Sequence, residues 1–331
     1  MKHIIIGGNG FVGRHLAADL LKMGEEVIVG DIERSNLSHY GPVRFVSLDV
    51  TKPETLRAIP LGPDDVVYNL AAKMLAPIVL KRERYDFFWP VNYHGVRNLL
   101  EWIEGAGASR YVQFTTDMVY GHTPTVMTRE DAPRNPLGEY GASKKGAEDL
   151  CDAFRARGID STIFRPRLII GPGRLGILTK LFRLIELNLP VPMIGSGKNP
   201  YQFISVYDCA SACIAAWKGG FPNKAYNLGS SNPPPVRELL GTLIREAGSK
   251  SVLVPTPAPL VKSVLGLLDK VNRPLMDPEQ FLIADETCIR DTSAAERDLG
   301  WRPLHNDVDM LNAAYREYRA GRAAKPLAAA A

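Results

Sequence analysis

Apolar residues along the chain fall into short runs separated by stretches of mixed character. Ile4-Ile5-Ile6, Val27-Ile28-Val29 and Val66-Val67-Tyr68 are apolar at consecutive positions. Runs this short and this rich in β-branched residues predict strands. Apolarity on both faces predicts a parallel sheet covered on two sides. Strands are expected at 2–6, 27–31, 43–48, 66–70, 111–115 and 161–165. Between them the spacing changes. Leu16, Leu20 and Leu21 follow the first run at helical intervals, and helices are predicted over 91–103 and 137–157. Strand and helix in alternation give an α/β fold, a doubly wound parallel sheet.

Past Pro166 the texture changes. Gly171-Pro172-Gly173, Pro190, Pro192, Gly195 and Gly197 cut the chain into short pieces. Helices are predicted over 208–217 and 236–247, and strands at 201–206 and 225–228. The expected organisation is a sheet domain over 1–170 and a smaller α/β C-terminal substrate lobe over 171–322, interleaved with the sheet. An alanine-rich tail, 323–331, is expected to be disordered. Over 255–271, Leu260, Val261, Val264, Leu265, Leu267, Leu268 and Val271 form an apolar helical stripe. It is expected to cover the substrate lobe. The alternatives are an apolar substrate pocket or a contact with a membrane surface.

Charge and composition narrow the function classes. The 331 residues include 40 basic and 36 acidic side chains, a net charge of +4. No basic stripe with interleaved aromatics is present, so nucleic acid is not an expected partner. No apolar run approaches the roughly 18 residues of a membrane span. No secretory leader precedes the first strand, and a soluble, cytoplasmic protein is expected. Cys151, Cys209, Cys213 and Cys288 form no Cys-x-x-Cys pair. They read as small buried apolar side chains, and no metal site is expected.

Candidate chemistry starts at the first strand's end. Gly7, Gly10 and Gly13 follow Ile6 with spacing Gly-x-x-Gly-x-x-Gly and lead into a helix. Such a turn admits a pyrophosphate to backbone N–H groups at a helix N-terminus, the arrangement of a Rossmann dinucleotide site. Asp31 ends the second strand, where a carboxylate accepts hydrogen bonds from a ribose and repels a 2′-phosphate. NAD is therefore expected over NADP, with Arg34 a complication. Asp49 closes the third strand within reach of an adenine amino group, and 69–72 ends the fourth with small residues. The expected cofactor contacts are Gly7, Asn9, Gly10, Phe11, Val12 and Gly13; Asp31, Ile32 and Arg34; Asp49 and Val50; Leu70, Ala71 and Ala72; then Asn92, Thr115, Tyr140, Lys144 and Pro166.

Tyr140 and Lys144 stand four residues apart on the predicted 137–157 helix. That spacing puts both on one face, one turn apart. A phenol has a reference pKa of about 10, and an adjacent ammonium lowers it toward a usable base. Thr116 follows the fifth strand with a hydroxyl for the substrate oxygen. The expected catalytic set is Thr116, Tyr140 and Lys144.

At these residues the chain resembles the extended short-chain dehydrogenase/reductase family, in particular its NAD-dependent epimerase/dehydratase branch, many of whose members act on nucleotide sugars. The likeness extends over Val91-Asn92, Thr115 to Gly121, Arg165-Pro166, Gly171-Pro172-Gly173, Phe203 to Asp208, Tyr226 to Gly229 and Asp291 to Trp301. It implies the roles given above for Thr116, Tyr140 and Lys144. It also implies a homodimer in which the 91–103 and 137–157 helices form a four-helix bundle. Three departures bear on the substrate. Met118 stands where sugar-nucleotide dehydratases carry a proton-abstracting Glu, and a thioether is no base. Leu168 and Tyr201 stand where many nucleotide-sugar enzymes have an Asn and an Arg against the diphosphate. Lys73, Asp117, Met118, Arg167, Arg174 and Tyr201 are the expected substrate contacts.

The expected activity is NAD-dependent hydride transfer at a secondary alcohol or ketone of a sugar or nucleotide sugar. Two alternatives stand beside it. One is a 3β-hydroxysteroid dehydrogenase-like enzyme acting on an apolar alcohol. The other is a non-catalytic NAD-binding regulator, against which the intact Thr116, Tyr140 and Lys144 argue.

Overall fold

A computed structural model describes residues 1–34, 41, 43–123, 127–173, 176 and 178–323. Arg174 and the tail from 324 lie outside them. The first part runs through β1 (Lys2–Ile6), α1 (Phe11–Lys22), β2 (Glu26–Asp31), β3 (Arg44–Ser47), α2 (Pro53–Leu56), β4 (Val66–Asn69), α3 (Arg84–Trp89), α4 (Gly95–Gly105) and β5 (Arg110–Phe114). Next come β6 (Met127–Thr128), α5 (Glu139–Arg155), β7 (Asp160–Pro166), β8 (Leu168–Ile170), α6 (Leu178–Glu186), β9 (Val191–Ile194), β10 (Phe203–Ser205), α7 (Val206–Lys218) and β11 (Ala225–Leu228). The last part holds α8 (Val236–Glu246), β12 (Leu253–Thr256), α9 (Ala258–Lys270), α10 (Pro278–Phe281), β13 (Ile289–Arg290), α11 (Ser293–Leu299) and α12 (Asp307–Ala323).

Seven strands form one sheet in the order β11-β7-β5-β4-β1-β2-β3. Every pairing is parallel, with Ile4 opposite Ile28 on one side and Val67 on the other. Alternate residues feed two cores. Ile5, Val29 and Val112 pack with Leu16 and Leu20 of α1 and with Cys209 and Cys213 of α7. Ile4, Ile28 and Val67 pack with Leu99, Leu100 and Ile103 of α4 and with Ala147 and Cys151 of α5. All four cysteines are buried, and burial pushes the thiols of Cys151, Cys209, Cys213 and Cys288 up. The strand order reverses between β1 and β4, and such a switch point opens a crevice at the strands' carboxyl ends.

The strand expected over 201–206 is shorter. Ser205 caps α7 by accepting the Tyr207 N–H at 3.2 Å, which starts the helix at Val206. The helix expected over 91–103 begins with a π-type turn, Pro90–His94, where proline lacks the N–H of a regular turn. The stripe on α9 departs most from expectation. Leu260, Val264, Leu267 and Val271 are each at least half exposed. Val261, Leu265 and Leu268 are half-buried, and beside them lie Asp269, buried and paired with Arg84, and Lys262, whose ammonium meets Asp285. Among the described residues no helix is long and apolar enough to cross a membrane.

Candidate active site

A cleft of about 600 Å³ opens at the switch point and runs from the glycine turn to α5. Its first wall is steric. Gly7 has φ +73°, and a Cβ there would lie 2.5 Å from the Ala71 N. A Cβ on Gly13 would lie 2.6 Å from the Gly7 O. Neither position tolerates a side chain, because the turn is folded onto β4 and onto its own helix. The N-terminus of α1 therefore meets the cleft as bare backbone, lined by Gly10, Phe11 and Val12. A dinucleotide pyrophosphate fits such a cradle.

The acidic residues expected to read the cofactor sit at the neighbouring strand ends. Asp31 and Ile32 line the cleft, as do Asp49 and Val50. Asp31 Oδ2 accepts the Asn9 N–H at 2.9 Å, which ties the carboxylate to the glycine turn. Burial raises its pKa against that bond and the Glu33 N–H. Asp49 is desolvated too, yet two hydrogen bonds from Thr51, at 2.9 and 2.7 Å, hold its carboxyl below the usual range. Leu70, Ala71 and Ala72 form the floor beyond β4, and Pro166 the end of β7.

Three expected contacts lie elsewhere. Asn9 backs the turn through its main chain. The Arg34 guanidinium lies over the Phe45 ring at 5.8 Å. Asn92 is fully buried and acts as a bracket: it accepts the Lys73 N–H at 2.9 Å and donates to the Lys73 O at 3.0 Å and the Ser143 Oγ at 3.1 Å. It thereby ties the loop after β4 to α5.

Thr115, Thr116, Tyr140 and Lys144 come together on the opposite wall. Lys144 Nζ donates to the Phe114 O at 3.2 Å. Burial pulls its pKa down to about 8, with Glu148 one turn on opposing the shift. Thr115 Oγ1 donates to Glu148 at 2.7 Å, and Arg165 grips both carboxylate oxygens. Thr116 Oγ1 accepts the Met118 N–H at 3.3 Å, an arrangement that leaves its hydroxyl proton to donate. The Tyr140 ring is buried against Phe88, with centroids 5.5 Å apart.

The expected substrate residues divide. Met118, Arg167, Asp117, Tyr201 and Lys73 all line the cleft. Asp117, expected as a substrate contact, is buried with its Oδ2 shared by Arg167 and Arg290. Those two guanidiniums overcome the desolvation of Asp117 and lower its pKa. Arg167 also stacks over Tyr201 at 4.6 Å, and its Nη2 is buried with no hydrogen-bond partner among the described residues. The Lys73 ammonium lies over the Phe87 ring at 5.2 Å. Sequence reasoning missed Arg290 and Gln280, which come from the far end of the chain. It also missed the apolar contribution of Leu75, Ile170 and Leu178. No local motif marks any of these residues.

The model of the NAD dependent epimerase/dehydratase family matches residues 3–229. An uncharacterized protein, y4nG, of Sinorhizobium fredii (strain NBRC 101917 / NGR234) is 30% identical over 322 residues, 97% of this chain and 79% of that protein. A 2-alkyl-3-oxoalkanoate reductase of Stenotrophomonas maltophilia (strain K279a) is 27% identical across 76% of this chain and 77% of its own. Among solved structures, DesIV, a dTDP-glucose 4,6-dehydratase from Streptomyces venezuelae with NAD and TYD bound, superposes with a TM-score of 0.77. It is 25% identical and covers 98% of this chain and 99% of its own.

Proposed function

The chain belongs to the NAD dependent epimerase/dehydratase family, and from that premise we propose that it oxidises a secondary alcohol of a sugar or nucleotide sugar to a ketone. The observation that carries this reading is the convergence of Thr116, Tyr140 and Lys144 on the cleft that begins at the glycine turn. When bound, NAD supplies the ring carbon that accepts the hydride and can return it. Gly7 to Gly13 and the start of α1 hold its pyrophosphate, and Asp31 its adenosine ribose. Tyr140 takes the hydroxyl proton of the substrate. The Lys144 ammonium, largely protonated at neutral pH even with its pKa near 8, stabilises the phenolate. Thr116 donates its proton to the substrate oxygen and holds the carbinol in place.

Met118 occupies the wall beside Thr116, so no carboxylate there removes a carbon-bound proton. The reading is therefore epimerisation or net oxidation rather than loss of water. Arg167 supports a polar substrate, since its Nη2 has hydrogens left to give. Tyr140→Phe tests the mechanism: turnover falls by about 10²-fold or more while NAD affinity is kept. Undiminished turnover removes it.

A second reading rests on the apolar wall of Met118, Leu75, Ile170 and Leu178, together with the likeness to the 2-alkyl-3-oxoalkanoate reductase. The substrate would then be an apolar alcohol. Calorimetry with UDP, TDP, GDP and CDP separates the two, because binding of any of them favours the nucleotide sugar. The proposal also includes a cytoplasmic homodimer, with α4 and α5 as the bundle. Sedimentation at the monomer mass would remove the dimer.

A further inference from the structure

The catalytic tyrosine of the reading above lies in the first turn of α5, where N–H groups have no partner within the helix. The residue before this helix is Gly138, which has no side chain to cap it. The cap comes from far away in the sequence. Glu279, on α10, places Oε1 and Oε2 at 3.1 and 2.9 Å from the Gly141 N–H. When ionised, it also places its charge at the positive end of the α5 dipole. The approach is close enough that a side chain at either glycine would have to displace the Glu279 side chain. A Cβ on Gly138 would lie 2.7 Å from Glu279 Oε1, and one on Gly141 2.7 Å from Oε2.

Glu279 is itself held. Its N–H donates to Asp277 Oδ1 at 3.0 Å, and Asp277 Oδ2 lies 3.3 Å from the Arg84 Nε. Arg84 also pairs with Asp269 of α9. One turn after Arg84, Phe88 packs on the Tyr140 ring. Trp89 Nε1 donates to Glu139 Oε2 at 2.7 Å. Gln280, next to Glu279, lines the cleft. Two helices, α3 and α10, thus meet on one turn of α5, with α9 bracing them through Arg84, and Glu279 bonds that turn's backbone.

We propose that Glu279 is a positioning residue: it fixes the first turn of α5 and so holds the Tyr140 phenol beside Lys144, linking the C-terminal segment to the proton-transfer site. The titratable groups around it are Asp277, which caps α10, Arg84 on α3, Asp269 on α9, and Glu139, Tyr140 and Lys144 on α5. Burial, with Asp277 adding to it, raises the Glu279 pKa to about 8, against the N–H groups of Gly141 and Tyr140 and the charge of Arg84.

The inference rests on Tyr140 as the base, and one experiment distinguishes the two. Ultraviolet difference spectra of NAD-saturated protein, taken from acid to alkaline pH, report tyrosinate formation. The component missing in Tyr140→Phe belongs to Tyr140. Glu279→Asp keeps the charge but withdraws the oxygens from Gly141, and it should raise the Tyr140 titration by about one pH unit. Glu279→Gln keeps an acceptor and loses the charge, so it should leave that titration in place or lower it. An unshifted titration in Glu279→Asp overturns the inference, as does a rise in Glu279→Gln equal to that in Glu279→Asp. A wild-type protein with no phenol titrating below its ordinary value overturns the reading of Tyr140 itself, and the inference with it.

Discussion

Lys144 is the residue at which function and stability pull in opposite directions. Its side chain is buried, its ammonium donates to the Phe114 O at 3.2 Å, and among the described residues no carboxylate pairs with it directly. Burial lowers its pKa from 10.5 to about 8. A lysine shifted down binds fewer protons folded than unfolded between those two values. The charged form therefore costs stability below about pH 8, and that cost fades as pH rises toward 10.5. The size is on the order of 3 kcal/mol at neutral pH. Lys144→Met keeps the apolar stem and removes the charge. It should abolish turnover yet raise the stability of the NAD-free protein at pH 7, with the advantage shrinking at pH 9.5. Urea denaturation at both pH values measures this, and a less stable variant at pH 7 would contradict it. At this scale the sequence was readable where the chemistry is local. Tyr140 and Lys144 share a helix face at a spacing any reader can count. Glu279 was not readable, because its partner lies 138 residues away and its own surroundings, Asp277-Pro278-Glu279, read only as a helix start.

At the level of single elements, α9 shows why periodicity identifies a helix without orienting it. The apolar stripe predicted the helix, which spans Ala258–Lys270, but not the direction it faces. The face turned inward combines the half-buried Val261, Leu265 and Leu268 with two ionic contacts to distant segments, Asp269 with Arg84 and Lys262 with Asp285. Once Asp269 is buried against a guanidinium, Leu260, Val264 and Leu267 face outward. The seven strands of the large sheet were legible for the converse reason. All but the half-buried edge strand β3 are buried on both faces, so their apolar runs survive any rotation. The two-residue strands β6 and β13 carry no such run and leave no signal. The ionic account predicts an inverted ranking of substitutions. Leu267→Gln, on a side chain 62% exposed, should change the melting temperature little. Asp269→Ala leaves the Arg84 guanidinium buried without one of its carboxylates and should cost about 3–5 kcal/mol. Thermal unfolding of the two variants checks the order, and a larger loss for Leu267→Gln would reverse the argument.

For the molecule as a whole, the question is whether the first 170 residues make a self-sufficient body. They hold the glycine turn, Thr116, Tyr140 and Lys144, and six of the seven strands of the large sheet. The core argues against independence. β11, at 225–228, closes the sheet edge by pairing with β7, Ala225 opposite Ile163 and Leu228 opposite Pro166. One face of the sheet is covered by α1 together with α7, and Ile204, Val206, Cys209 and Cys213 sit in the same core as Ile5, Val112 and Phe164. Trp301 reaches that core from the region after α11 and donates through Nε1 to Ser211 at 2.9 Å. A chain ending at 170 would expose Val112, Phe114 and Phe164 to water. At roughly 1.5–3 kcal/mol for each large buried side chain, that loss is comparable with the whole stability of a domain. The proposed proton-transfer site would also lose Glu279 from the first turn of α5. The fragment 1–170 should therefore show no cooperative unfolding transition and no NAD-dependent rise in melting temperature, while the full chain shows both. A fragment that melts cooperatively and is stabilised by NAD would mean that the sheet needs neither β11 nor α7.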